Sequence, residues 1–319
     1  MEQIHFRIHR FDGKKKWIQT YSLPYEKGKT VLWALTKIKD ELDPTLNFTS
    51  ACRHAICGSC GVKVNGNSFL SCKTSLDEIM ETFNTTTLTF EPLGNFEVIR
   101  DLVIDWEPKV EKMKKVKPWL LADEKVQKEN GFKQSEAEFQ RISSPTDCVL
   151  CGICASECQQ LSVNDGQYFE PFIFNKAYRF LVDSRDNQPK EHLRPVLEND
   201  LWKCLHCMQC VTQCPKGIDL TDEVAFLREE TMKMGEMNNQ GARHAYAFFN
   251  DVKKKGRLNE MTLPIKTDGL VKTAKTKIPF AYRMVTKGKI NPFHFPKEVQ
   301  GIEGVRKIYK HVLEQEAKS

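Results

Sequence analysis

The residues able to do chemistry in this chain are its cysteines, twelve in 319 residues. Cys52, Cys57, Cys60 and Cys72 are spaced C-x4-C-x2-C-x11-C, the plant-type pattern for a [2Fe–2S] cluster held by four thiolates. Their sulfurs must converge on a small inorganic core. The loop Arg53–Ser59 is therefore expected to curl back and aim its amides at them, with Gly58 and Gly61 permitting the backbone angles. Such amide hydrogen bonds stabilise the negative charge added on reduction and raise the potential. Zinc is the competing reading, but tetrahedral zinc favours paired C-x2-C knuckles.

A second pattern occurs twice. Cys148, Cys151, Cys154 and Cys158 are spaced C-x2-C-x2-C-x3-C, and so, 56 residues later, are Cys204, Cys207, Cys210 and Cys214. In two-cluster ferredoxins each such run gives three ligands to one cluster, and its fourth cysteine crosses to the other. By that rule Cys148, Cys151, Cys154 and Cys214 hold a [4Fe–4S] cluster. Cys158, Cys204 and Cys210 hold a third cluster, with Cys207 as a further candidate ligand. Zinc would leave cysteines unused in both repeats. Pro215 follows Cys214 as the pattern expects, whereas Gln159 stands where the first repeat would have proline. That departure softens a turn and removes no ligand. No general acid, general base or flavin site is legible, so no catalytic side chain is assigned.

Composition narrows the setting. The chain opens MEQIHFRIHRF, without a basic segment leading into an apolar one, so the cysteines do not read as a secreted disulfide framework. Cysteine used under reducing conditions serves metal or redox chemistry. No stretch reaches the roughly 18 apolar residues of a membrane helix. The best, Pro171–Val182, is too short and carries Lys176 and Arg179, so membrane association is expected only through partners. The net charge of +6 is uneven: residues 237–319 hold 17 Lys+Arg against 7 Asp+Glu, leaving 31 against 35 for the rest. A basic tail suits nucleic acid, an anionic lipid surface or an acidic partner, and with no nucleic-acid motif beside it nucleic acid is not expected.

The elements that must position the cysteines follow from periodicity. Ile4, Phe6 and Ile8 alternate with polar residues as in a half-buried strand, Asp12-Gly13 marks a turn, and Trp17–Leu23 reads as the returning strand. Thr30 is a helix N-cap, Val31, Leu35, Ile38 and Leu42 share a helical face, and Pro44 stops the helix. Val62–Val64, Asn65-Gly66 and Phe69-Leu70 form a hairpin signal, and Thr87–Glu91 a last strand. This order predicts a β-grasp domain. Lysine-rich sequence between residues 105 and 145 (Lys109, Lys112, Lys114, Lys115, Lys117) reads as exposed helix and loop with a solvated face. Around the repeats the pattern is helical. Pro171 opens a helix whose stripe is Ile173, Ala177, Phe180 and Leu181, and Asp219 or Thr221 caps another. In the basic extension Pro264, Pro279, Pro292 and Pro296 are expected to break helices, and Ile302, Val305, Ile308, Tyr309 and Val312 mark a terminal docking helix. The predicted fold class is α+β. Residues 1–105 form a plant-type β-grasp ferredoxin domain, 106–236 an α-helical two-cluster ferredoxin domain, and 237–319 a mostly helical basic extension.

This layout resembles the iron–sulfur subunit of succinate dehydrogenase and fumarate reductase. The likeness is carried by ACRHAICGSCGV (Ala51–Val62), AYRFLVDSRD (Ala177–Asp186) and CPKGIDL (Cys214–Leu220), and covers roughly residues 3–235. It implies an electron-transfer subunit between a flavoprotein carrying FAD, where succinate and fumarate interconvert, and a quinone-reactive membrane partner. The implied order is flavin, [2Fe–2S], [4Fe–4S], third cluster, quinone side.

Two departures from the commonest family pattern shape the expectation. That pattern has an apolar residue at the position of Cys207, giving a [3Fe–4S] cluster; a thiol here favours [4Fe–4S]. It also has a Trp-rich segment after the counterpart of Cys158 and a His directly after that of Cys204. This chain has Gln159-Gln160-Leu161-Ser162 and Leu205, with His206 one place later, so the usual quinone-pocket residues do not carry over. These features resemble the methylmenaquinol:fumarate reductase subgroup, whose membrane partner is a cysteine-rich subunit of the heterodisulfide-reductase type. The extension is expected to grip that partner. The complex is placed on the cytoplasmic face by default, or on the periplasmic face where such complexes are exported folded. The alternatives are a subunit of a thiol- or heterodisulfide-linked reductase and a zinc-stabilised interaction module without redox work.

Overall fold

The computed structural model describes residues 3–122, 131, 133–164, 168–198, 201–289, 291 and 296–316. It divides into two compact units, residues 1–227 and 228–319.

The first unit begins with a mixed sheet. Strands β1 (Gln3–Phe11), β2 (Lys16–Pro24), β3 (Gly61–Val64), β4 (Asn67–Leu70) and β5 (Thr87–Glu91) lie in the order β2-β1-β5-β3-β4, with β1 and β5 parallel. Alternation in β1 buries Ile4, Phe6 and Ile8 against helix α1 (Val31–Lys37), whose Val31, Ala34 and Leu35 face the same core. Thr30 caps α1 by accepting the Trp33 amide at 3.2 Å. The expected face does not extend to Leu42. A π-helical turn over Ile38–Leu42 rotates it out of the stripe and leaves it half exposed. Helix α2 (Leu76–Phe83) and the short pair β6 (Val98–Arg100) and β7 (Val103–Ile104) complete this half.

The lysine-rich connector departs from the solvated-face expectation. Helix α3 (Glu107–Lys114) turns Lys109 and Lys112 onto the fully buried Glu170, at 2.6 and 3.2 Å, and Lys117 pairs with Glu191 at 2.7 Å. Lys114 and Lys115 remain exposed. Among the described residues there follow α4 (Glu136–Thr146), α5 (Ile153–Ser156), α6 (Gln159–Val163), α7 (Pro171–Leu181), α8 (Lys190–Glu198), α9 (Gln209–Thr212) and α10 (Leu220–Lys233). Pro171 opens α7, where its missing N–H costs nothing. Asp219 caps α10 by accepting the Thr221 and Asp222 amides.

The second unit contains α11 (Gln240–Lys255), α12 (Leu263–Asp268), α13 (Leu270–Thr286) and α14 (Ile302–Glu316). The prolines act differently from expectation. Pro264 starts α12, Pro279 lies inside α13, Pro296 is in irregular chain, and Pro292 lies outside the described residues. Part of the α14 stripe is used internally, since Tyr309 packs edge-on against Phe249 of α11 at 5.0 Å between ring centroids. Ile308 and Val312 stay exposed.

Candidate functional site

The first cysteine group sits on the loop before β3 and the turn after β4. Arg53, Ala55 and Gly58 take positive φ of 59°, 56° and 73°, so the chain coils tightly enough to turn amides inward. His54, Ile56 and Cys57 donate to Cys52 Sγ at 3.4, 3.3 and 3.3 Å, and Ala55 donates to Cys72 Sγ at 3.2 Å. The Ser59 hydroxyl, 3.2 Å from Cys57 Sγ, pulls that exposed thiol down to about 6, helped by the Cys52 and Ser59 amides. Burial, with the hydrogen-bonded Cys60 thiol, pushes Cys72 up to about 11. Gly61 serves a purpose other than the expected backbone angle. A Cβ there would stand 2.9 Å from Leu93 Cδ1 and 3.1 Å from the Cys151 carbonyl, so it provides room.

The two repeats build two hollows. Cys148, Cys151, Cys154 and Cys214 line one, with Phe172, Ile218 and Leu220. Cys158, Cys204, Cys207 and Cys210 line the other, with Tyr168, Phe174 and Val224. The crossover follows from two short helices. Cys154 lies within α5 and Cys158 just past it; Cys210 lies within α9 and Cys214 just past it. The backbone repeats as well as the sequence. Leu150 and Gly152 have positive φ, and so do His206 and Met208 at the same offsets. Only one of these four is glycine, so the sequence hides the match.

The donor set fits iron–sulfur clusters. Burial pushes Cys151 and Cys210 up to about 12, Cys154 well above the ordinary thiol value, and Cys148 and Cys158 upward. Thiolates so buried and so close to one another are sustained only when cations replace their protons. Among the described residues no three His, Cys, Asp or Glu side chains close on a point for a single ion. Four cysteines line each of the two hollows, the number of thiolates that a four-ligand cluster requires.

The sequence reading missed how the first group meets the second. Ser156, between Cys154 and Cys158, stands 2.8 Å from Ser68 Oγ and accepts the Gly94 amide at 2.8 Å. Asn95 donates to the carbonyls of Ala155 and Cys158 at 2.8 and 3.0 Å. Lys73, next to Cys72, reaches the Pro215 carbonyl at 3.4 Å. At the contact itself a Cβ on Gly58 would lie 2.4 Å from the Val149 carbonyl and 3.0 Å from Cys151 Cα. Backbone thus touches backbone between the first loop and the second hollow.

Other singled-out residues are structural. In the Ala177–Asp186 segment the buried Asp183 binds Arg179 and Arg185, which hold its carboxyl low against the upward push of burial. The buried His192 lies between Asp186 Oδ2 and the Val116 carbonyl, 2.9 Å from each. His206 belongs to the turn between Cys204 and Cys207, and the neighbouring Leu205 and Met208 are exposed at the rim of the third hollow.

Comparison with known proteins gives concordant matches. Residues 5–111 match a 2Fe-2S iron-sulfur cluster binding domain family, and residues 144–218 a 4Fe-4S dicluster domain family. The chain is 44% identical over 291 residues to the 8-methylmenaquinol:fumarate reductase iron-sulfur subunit of Wolinella succinogenes, covering 90% of this chain and 91% of that one. It is 33% identical over 236 residues to the mitochondrial succinate dehydrogenase [ubiquinone] iron-sulfur subunit of Dictyostelium discoideum, covering 70% of this chain and 81% of that one. The fold is similar to a chain of the Mycobacterium smegmatis Sdh1 complex in the apo form, with a TM-score of 0.66 at 23% identity, covering 73% of this chain and 96% of that one.

Proposed function

We propose that this chain, which belongs to the family of iron–sulfur subunits of succinate dehydrogenases and fumarate reductases, relays electrons between an FAD-containing flavoprotein that interconverts succinate and fumarate and a quinone-reactive membrane partner. Cys52, Cys57, Cys60 and Cys72 hold a [2Fe–2S] cluster; Cys148, Cys151, Cys154 and Cys214 hold a [4Fe–4S] cluster. Cys158, Cys204, Cys207 and Cys210 hold the third, as [4Fe–4S]. The observation that carries this reading is the grouping of all twelve cysteines into three fours, with backbone contact between the first and second.

When bound, the clusters supply one-electron oxidation and reduction. The chain's own residues do the rest. Amides of the first loop, those of His54, Ala55, Ile56 and Cys57 among them, donate to sulfur and stabilise added negative charge. Phe172, Ile218 and Leu220 keep water from the second hollow. The Gly58–Val149 contact holds the first two sites close, and tunnelling rates fall steeply with distance. Two exposed apolar rims suit the two partners: Ile56 beside Cys57 for the flavoprotein, and Leu205 with Met208 beside Cys207 for the quinone side.

The thiol at Cys207 and the basic extension favour a cysteine-rich membrane partner of the heterodisulfide-reductase type. Among the described residues no helix is long and apolar enough to cross a membrane, which fits a subunit peripheral to the cytoplasmic membrane. The test is freeze-quench EPR of the purified complex. Succinate should reduce clusters in this subunit and fumarate should reoxidise them. If neither dicarboxylate changed their redox state while a thiol or disulfide did, the thiol-linked reductase reading would replace this one.

A further inference from the structure

The second unit carries a helix that the electron relay does not use. Helix α13 (Leu270–Thr286) has no buried residue; Thr273 and Met284 are partly covered, and Val285 is 38% exposed. Most of its apolar side chains are nonetheless ordered, with Phe280 (54% exposed) and Met284 lying off the shared face. At 100° per residue, Leu270, Val271, Ala274, Ile278, Tyr282 and Val285 fall within about 120° of the axis, the width of an apolar face built to be covered. Leu270, Val271, Ile278 and Tyr282 are 70%, 71%, 58% and 69% exposed. The flanks and back are cationic: Lys272, Lys275, Lys277, Arg283 and Lys287, with Lys289 just beyond. From Gly269 to Lys297 the sequence has no Asp or Glu, and Lys272 pairs with the preceding Asp268 at 3.6 Å.

We infer that α13 is an in-plane docking helix for an anionic lipid surface, with its apolar face among the acyl chains and its lysines among the headgroup phosphates. Charge complementarity selects this occupant. A protein groove that matched this helix would need acids facing both flanks and the back at once, whereas a layer of anionic headgroups surrounds a half-sunk helix on all of those sides. The composition agrees: low overall hydrophobicity, an apolar face opposed by a Lys/Arg face in which Phe280 is the aromatic exception, and Tyr at the boundary. Pro279 lies on the polar side of the wheel, away from the apolar face. The chain thereby gains a membrane contact of its own beside any partner subunit.

The test is co-sedimentation of the full cluster-loaded chain with vesicles of phosphatidylcholine, with or without about one third phosphatidylglycerol. The wild type should pellet with the anionic vesicles, at least tenfold more tightly than with neutral ones, and the advantage should shrink as salt rises. The double variant Lys275→Glu/Lys277→Glu should lose more than tenfold, and Ile278→Ser/Tyr282→Ser should lose binding to both vesicles. All four side chains are exposed, and retention of the cluster absorbance checks the fold. Equal binding to the two vesicle types, or unchanged binding by both variants, overturns the inference. So does retention only on membranes that contain partner subunits, which would assign α13 to a protein groove.

Discussion

Ser68 Oγ and Ser156 Oγ stand 2.8 Å apart, both nearly inaccessible to solvent, and join the β-grasp half to the turn between Cys154 and Cys158. Glu157 also accepts from Ser68, and the Gly94 amide completes the donors around Ser156. The contact fixes the first cysteine group relative to the second and third. An electron relay depends on that spacing.

Ser156→Ala should therefore leave the Gly94 amide and Ser68 short of a partner at a buried site, a loss of about 1–3 kcal/mol. Urea denaturation of the cluster-loaded protein measures it. A midpoint unchanged from wild type would show that the contact contributes nothing to the join.

Gly58→Ala should act on the relay without removing a ligand. The new methyl group would lie 2.4 Å from the Val149 carbonyl, and the residue's φ of 73° is strained for any side chain. The loop must then withdraw from the second hollow. Magnetic coupling between the reduced first and second clusters should weaken, while each cluster's own signal persists. Full retention of coupling would mean that this contact does not set the separation.

Cys207 decides the third cluster. With four thiols lining that hollow, the oxidised wild type should show no three-iron EPR signal, and Cys207→Ala should create one. A three-iron signal in carefully anaerobic wild type would remove Cys207 from the ligand set.

Much of this was readable in the sequence because cysteine spacing predicts which thiols are brought to one hollow. The strands, the Thr30 cap, the Pro171 start and the crossing of the two repeats all follow from local rules. What escaped was information held in space rather than in spacing. Gly58 and Gly61 read as turn glycines, yet both are needed because another backbone approaches them. Leu150 and His206 occupy left-handed positions that their residue types do not signal. Lys109 and Lys112 looked like solvated charge until Glu170, some sixty residues on, was folded beneath them. Pro279 sits within a helix although an interior proline loses a hydrogen bond and crowds the preceding turn, and the sequence alone does not signal that exception.

Glu223 was invisible for the same reason and gives a pH prediction. Its Oε1 accepts from Asn175 Nδ2 at 2.9 Å inside the protein, Oε2 has no partner, and burial raises its pKa to about 8. Folded Glu223 keeps its proton at pH values where the unfolded chain, titrating near 4.5, has lost it. This stabilisation is complete below that lower value and is lost as pH rises towards 8. Glu223→Gln removes the dependence. Relative to wild type it should gain of order 2–4 kcal/mol in going from about pH 5 to about pH 9, read from urea midpoints. Parallel pH profiles for the two proteins would contradict a protonated Glu223.

The most direct test of the central claim is metal and acid-labile sulfide analysis of the anaerobically purified chain. Three clusters on twelve cysteines predict about ten irons with a matching number of sulfides per chain. A few zinc ions without sulfide would contradict the account outright.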